Sequence, residues 1–161
     1  MSSLWLVPVN EPDFQKTLAQ PIDLSDWEDR PDDFPEESRI WGVRADPQQG
    51  EWKVNRRHLE NMEPNDTLLF YRSSESRYDA AGTIGQFART EYVRTKYWDG
   101  GPSIDIYTVE NYNDTVTMSS KQVNEILDYK KGYHPQGLSA VGSQSAADRL
   151  IRRLNIGTAE P

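Results

Sequence analysis

Residues 62–73 read MEPNDTLLFYRS, and after a short polar connection residues 78–87 read YDAAGTIGQF. Glu63-Pro64-Asn65-Asp66 puts proline second and asparagine third in a tight turn, where proline presets φ and asparagine tolerates a positive one. The β-branched and aromatic run after the turn predicts a strand, and the second stretch predicts its antiparallel partner. Gly82 and Gly85 in that partner mark a bulge or a place where another group approaches the backbone closely.

Working outward, LWLVPV (Leu4 to Val9) predicts a short apolar strand, Ile40 to Arg44 a second and DIYTVENY (residues 105–112) another. Asn55 is placed to cap a short helix running to about Met62. Ser119 with Gln122 forms a capping box ahead of Val123, Ile126 and Leu127, and Ser145 with Asp148 offers another ahead of Leu150, Ile151 and Leu154. Residues 19–38, with DWEDRPDDFPEES at their heart, are too charged to pack and predict an acidic surface loop, preceded by one helical turn near Phe14 to Leu18. The expectation is one α+β domain over residues 1–156, a curved and mostly antiparallel β-barrel or sheet flanked by helices, with 157–161 a tail or the start of a linker.

Composition narrows the chemistry. The chain has 161 residues, a net charge of −8 and no cysteine, so disulfides, thiolate metal sites and cysteine nucleophiles are excluded. No apolar run has the length of a membrane span, and the N-terminus lacks a signal-peptide layout, which predicts a cytoplasmic protein with no membrane partner. The charge is uneven: Met1 to Glu37 holds ten acidic and two basic residues, whereas Ser38 to Pro161 holds sixteen of each. Arginine outnumbers lysine twelve to six, a balance that suits a high-salt cytoplasm. Between Arg39 and Arg57 five cations stand against Asp46 and Glu51, so a local basic face can meet phosphate despite the acidic total.

Catalytic motifs are absent. His58 and His134 have no metal-ligand spacing, no phosphate loop or nucleophile elbow occurs, and no cofactor is predicted. A nucleotide-processing enzyme would have to draw on Asp79, Glu91 or Asp99. The distinctive feature is aromatic. Trp5, Trp41, Trp52, Trp98, Tyr71 and Tyr97 come from different elements, and Trp27, Trp41 and Trp52 each precede a cation by one to three positions. Indole is the strongest stacking platform for a base, and arginine and lysine bind the flanking phosphates.

In order, LWLVPVNEP, IWGVR, MEPNDTLLFYRS, YDAAGTIGQF, YWDGG and DIYTV resemble the EVE and YTH group of the PUA-like superfamily. Those domains open on a WL-containing strand, carry a Trp-Gly-Val strand, and pass through a Met-x-Pro-Gly-Asp turn into an FYHS-like strand. The resemblance covers Leu4 to about Tyr112. Here PVNEP stands for the family's Lys-Ser-Glu-Pro, Asn65 for the turn glycine and Arg72 for the histidine.

The resemblance implies a reader of modified bases, in which a flipped base is held by aromatic walls while polar groups read its edge. By position Trp41 and Trp98 match the walls and Asn10 a base-reading polar residue; Tyr71 and Trp5 are further candidate rings. Arg44, Lys53, Arg56, Arg57, Arg72 and Arg77 are the expected phosphate contacts. The expected partner is nucleic acid carrying a methylated base, DNA ahead of RNA, read by a specificity module that a C-terminal nuclease domain can accompany. An RNA-binding PUA-like module is the rival reading. Whether the base is 5-methylcytosine, 5-hydroxymethylcytosine or N6-methyladenine is open at this point.

Overall fold

A computed structural model describes residues 3–44, 52–101 and 103–154, with the side chain of Trp52 outside the description. The elements are β1 (Leu4–Val9), α1 (Glu11–Asp13) continuing as a π-helix (Phe14–Leu18), β2 (Ile22–Asp23), β3 (Glu37–Val43), α2 (Trp52–Asn61), β4 (Thr67–Arg72), β5 (Arg77–Arg89), α3 (Tyr92–Tyr97), β6 (Asp105–Asn113), β7 (Met118–Ser119), α4 (Ser120–Leu127), β8 (Ser139–Ala140) and α5 (Gln144–Leu154). The strand order is β2-β3-β6-β5-β4-β1-β8, with β7 paired to β5. This is the expected α+β class with a mostly antiparallel sheet; the exception is β1, which runs parallel to β4 from Leu4↔Thr67 to Val9↔Arg72. The chain divides into two compact units, and β5 and β6 each contribute to both.

The first unit comprises residues 3–11, 65–83 and 111–154. Asn65 takes φ +75, as its turn requires, and delivers Asp66 and then β4. Asp66 is buried, and its carboxylate accepts from the Trp5 indole Nε1 and from the Ser3 amide, both at 3.0 Å. β4 pairs antiparallel with β5, and the register slips between Phe70 and Tyr71 rather than at a glycine. Leu4, Leu6, Leu69 and Tyr78 pack against Val123 and Leu127 of α4 and Ala147, Leu150 and Leu154 of α5; each large apolar side chain buried this way contributes about 1.5–3 kcal/mol. The α4 capping box forms as expected, Ser119 Oγ accepting from the Gln122 amide at 3.1 Å and Gln122 Oε1 from the Ser119 amide at 2.9 Å. The expected box at Ser145 shifts. The Ser143 hydroxyl accepts from the Ala146 amide at 3.2 Å and is the cap of α5, while Asp148 accepts from the side chain of Gln144.

The second unit comprises residues 12–44, 52–64, 84–101 and 103–110. β3 pairs antiparallel with β6 from Arg39↔Val109 to Val43↔Asp105. Gly85 shows the predicted close approach: a Cβ there would lie 2.3 Å from both Thr108 Oγ1 and Glu110 Oε2. α2 begins at Trp52, earlier than expected, so Asn55 lies inside the helix and does not cap it; its amide donates to the Arg44 carbonyl at 2.8 Å. The segment 19–38 overturns its expectation as well. Ile22, Leu24, Trp27 and Phe34 are buried, so apolar anchors hold down a chain whose carboxylates face solvent. Charge density is a property of the exposed positions alone, and the four apolar side chains between them bury enough surface to fix the path.

Candidate functional site

Trp41 sits in β3 between Ile40 and Gly42. Gly42 leaves room for the neighbouring strand and ring: a Cβ would meet Ser103 Cβ at 3.0 Å, the Asp105 carbonyl at 3.2 Å and Trp98 Cη2 at 3.3 Å, and these would have to give way. Trp98 closes α3, its amide donating to the Arg94 carbonyl at 3.1 Å. Asp99 at φ +52 and Gly100 at φ +74 then reverse the chain, and the Gly100 amide returns to the same carbonyl at 2.8 Å, the left-handed exit common after helices. The Trp98 indole Nε1 donates to Thr17 Oγ1 at 3.3 Å, and Thr17, fully buried on the π-helix, donates its hydroxyl to the Ile40 carbonyl at 2.7 Å.

The two rings therefore meet, with centroids 6.0 Å apart and planes at 68°. This is an edge-to-face corner and not a parallel sandwich. Trp41 and Trp98 are only 8% and 7% exposed, so the corner is largely covered. Tyr107, opposite Trp41 across the strands, is fully buried with no hydrogen-bond partner for its hydroxyl among the described residues, and burial holds its pKa far above the ordinary phenol value.

Cations gather in the same unit. Asp105, buried at the start of β6, is approached by Arg56 at 3.7 Å and by Arg89 at 3.4 Å. Arg44, Lys53 and Arg57 are exposed and make no ion pair among the described residues. Burial and the neighbouring Arg57 hold the His58 imidazole below its ordinary pKa, so α2 gains no further charge near neutrality.

The remaining candidates lie in the first unit. Trp5 is buried with its indole committed to Asp66, a packing role. Tyr71 is buried, tilted at 58° against Tyr78 and stacked on His134 at 20°. Asn10 is half-buried between β1 and α1. Arg72 does not present a free cation: its guanidinium is held by Glu11 at 2.7 Å and Asp79 at 3.0 Å, and the Glu11 hydrogen bond is the main reason its pKa is raised. Arg77 shares Asp79 and adds Glu75, so this cluster sets three carboxylates against two arginines and disfavours phosphate.

The carboxylates that an enzyme would need are ion-paired. Asp79 is held by Arg72 and Arg77, Glu91 by Arg94 at 3.0 Å and Asp99 by Lys16 at 3.3 Å. Among the described residues no group of three or more His, Asp or Glu is placed to hold a metal, and no helix is long and apolar enough to cross a membrane. Sequence reasoning did not find Thr17, Asp105 or Arg89. Each acts on a partner at least 16 residues away, and nothing local marks it.

No family model matches the sequence, and no curated protein does. Solved structures match throughout the chain. The N-terminal domain of Thermococcus gammatolerans McrB, bound to m5C DNA, superposes with a TM-score of 0.64 at 14% identity, covering 94% of this chain and 98% of that one. The YTH domain of Zygosaccharomyces rouxii MRB1, in complex with N6-methyladenosine RNA, gives 0.60 at 11% identity over 99% and 88%. ASCH from Zymomonas mobilis gives 0.53 at 9% identity over 98% of each chain. The chain thus has the fold of the McrB N-terminal domain and of the YTH domain, as the ordered motifs implied.

Proposed function

We propose that this chain is a reader of a methylated base in nucleic acid, with the base taken into the Trp41–Trp98 corner and the flanking phosphates held by Arg44, Lys53, Arg56 and Arg57. The observation that carries the reading is the corner itself: two indoles far apart in sequence meet edge to face in a unit whose α2 presents cations to solvent. Entry of a base opens the covered corner while the 3.3 Å hydrogen bond to Thr17 Oγ1 keeps Trp98 oriented, so that the base meets both rings. Two structures of the same fold, bound to m5C DNA and to N6-methyladenosine RNA, support the class of ligand. Duplex DNA is the target in this reading, and the chain serves as the specificity module of a modification-dependent nuclease.

The deciding experiment is a panel of short duplexes and RNAs carrying 5-methylcytosine, 5-hydroxymethylcytosine, N6-methyladenine or no modification, at one fixed salt concentration. The expected result is selective binding of one modified DNA. Equal affinity across the panel would defeat the proposal, and selective binding of modified RNA would replace DNA with RNA.

Two further outcomes follow from the assigned roles. With three or four phosphates engaged by Arg44 and the α2 cations, log K should fall linearly with log salt with a slope of about −3 to −4; a flat response would remove these residues from the interface. Asn carries both a donor and an acceptor for a base edge, so Asn10→Ala should narrow the gap between modified and unmodified targets more than it weakens generic binding. A loss equal across all targets would make Asn10 a structural residue of the turn ahead of Pro12.

A further inference from the structure

A groove of about 690 Å³ opens in the first unit. Its floor is aromatic. Tyr71 is buried and packed on Tyr78 with centroids 5.0 Å apart, and the exposed imidazole of His134 lies 6.0 Å from the Tyr71 ring at only 20° to it. Gln136 Nε2 sits 2.8 Å from His134 Nε2 and steadies that ring. The core thus presents a flat, oriented face to solvent.

The rim supplies donors. Ser73 and Ser76 line the groove from the β4–β5 turn, and Ser119, Ser120 and Lys121 line it from the start of α4. The Ser119 oxygen accepts from the Gln122 amide, which leaves its own hydrogen to donate outward. The hydroxyls of Ser73, Ser76 and Ser120 make no hydrogen bond, and Lys121 no ion pair, among the described residues. No carboxylate lines the groove, although the chain carries 26 of them. Four hydroxyls and an ammonium around a flat ring, with Glu75 and Asp79 of the adjoining turn taken up by Arg72 and Arg77, match the two halves of one ligand: a phosphate ester that accepts hydrogen bonds and a planar base that stacks.

We infer that this groove binds a nucleotide through its phosphate, with the hydroxyls and Lys121 on the phosphate oxygens and the imidazole of His134 against the base. The site is independent of the Trp41–Trp98 reading and stands or falls without it.

The test is a titration of the full chain, followed by NMR and calorimetry, with thymidine, thymidine 5′-monophosphate and a short oligothymidylate. The nucleotide should bind saturably and shift the ring resonances of Tyr71 and His134, while thymidine at the same concentration should not. Combining Ser120→Ala with Lys121→Ala should weaken binding about tenfold or more, the loss expected when charge-assisted hydrogen bonds are removed; the capping Ser119 is left in place so that α4 persists. Tighter binding of the oligonucleotide would identify a strand as the source of the phosphate, and equal binding a free nucleotide. Equal binding of thymidine and its phosphate, or absence of saturable binding at millimolar concentration, would each overturn the inference.

Discussion

Trp41→Ala should reduce binding of the preferred methylated target by about 5- to 150-fold, the 1–3 kcal/mol that stacking on one aromatic ring contributes per base. Trp98→Ala should do the same, and Trp98→Phe should fall between, because phenylalanine keeps a flat face but cannot donate to Thr17 Oγ1. Both rings are more than nine-tenths buried, so each variant needs its stability measured beside its affinity. Removing a packed Trp costs about 3–5 kcal/mol of folding free energy when the surroundings do not relax. The edge-to-face geometry supplies a control: Thr17→Val removes the hydroxyl that orients Trp98 while leaving both rings. If the corner binds the base, Thr17→Val should weaken discrimination with both indoles intact. Variants that unfold without Trp41 or Trp98, combined with unchanged binding in Thr17→Val, would assign the corner to the core.

How much of this was legible in the sequence depends on where the governing forces act. β1 and β4 were readable because their apolar runs are continuous and bounded by turn chemistry, and the α4 cap because its two reciprocal bonds join residues three apart. Ser145 was misread for Ser143 because both stand near the right offset and only the helix start chooses between them. Asn55 has the right residue type for a cap, but the helix begins ahead of it. The parallel pairing of β1 with β4 has no local signal at all, and neither has the contact of Trp5 with Asp66 across 61 positions.

The candidate site divides along the same line. Trp41 and Trp98 could be singled out by residue type and by family resemblance, whereas the geometry of their corner depends on Thr17, on Gly42 and on the reversal at Gly100. Arg72 and Arg77 looked like phosphate contacts because arginine charge is visible in a sequence and its partners are not. Glu11 lies 61 residues from Arg72 and claims it in the fold.

The second large effect is expected at Trp27, which residue composition placed in an acidic surface loop. Its ring packs edge-on against Phe34 at 5.3 Å and stacks on Tyr92 at 5.7 Å with planes 10° apart. The Arg30 guanidinium donates to the Phe34 carbonyl and to Glu36 and closes the segment on itself. Eight carboxylates lie between Asp23 and Glu37, and their mutual repulsion favours an extended chain that only the buried anchors oppose. Trp27→Ala should therefore cost about 3–5 kcal/mol in urea unfolding and expose residues 19–38 to proteolysis. Added salt, by screening the carboxylates, should recover part of the loss. Trp27→Phe keeps a ring against Tyr92 and should lose less. Tyr92 begins α3, and α3 ends at Trp98, so the same change should also weaken binding at the aromatic corner, in proportion to the loosening of α3 and without altering which base is preferred. A Trp27→Ala protein within about 1 kcal/mol of the parent, with the segment still protected, would show that the acidic stretch is held by something other than its aromatic anchor.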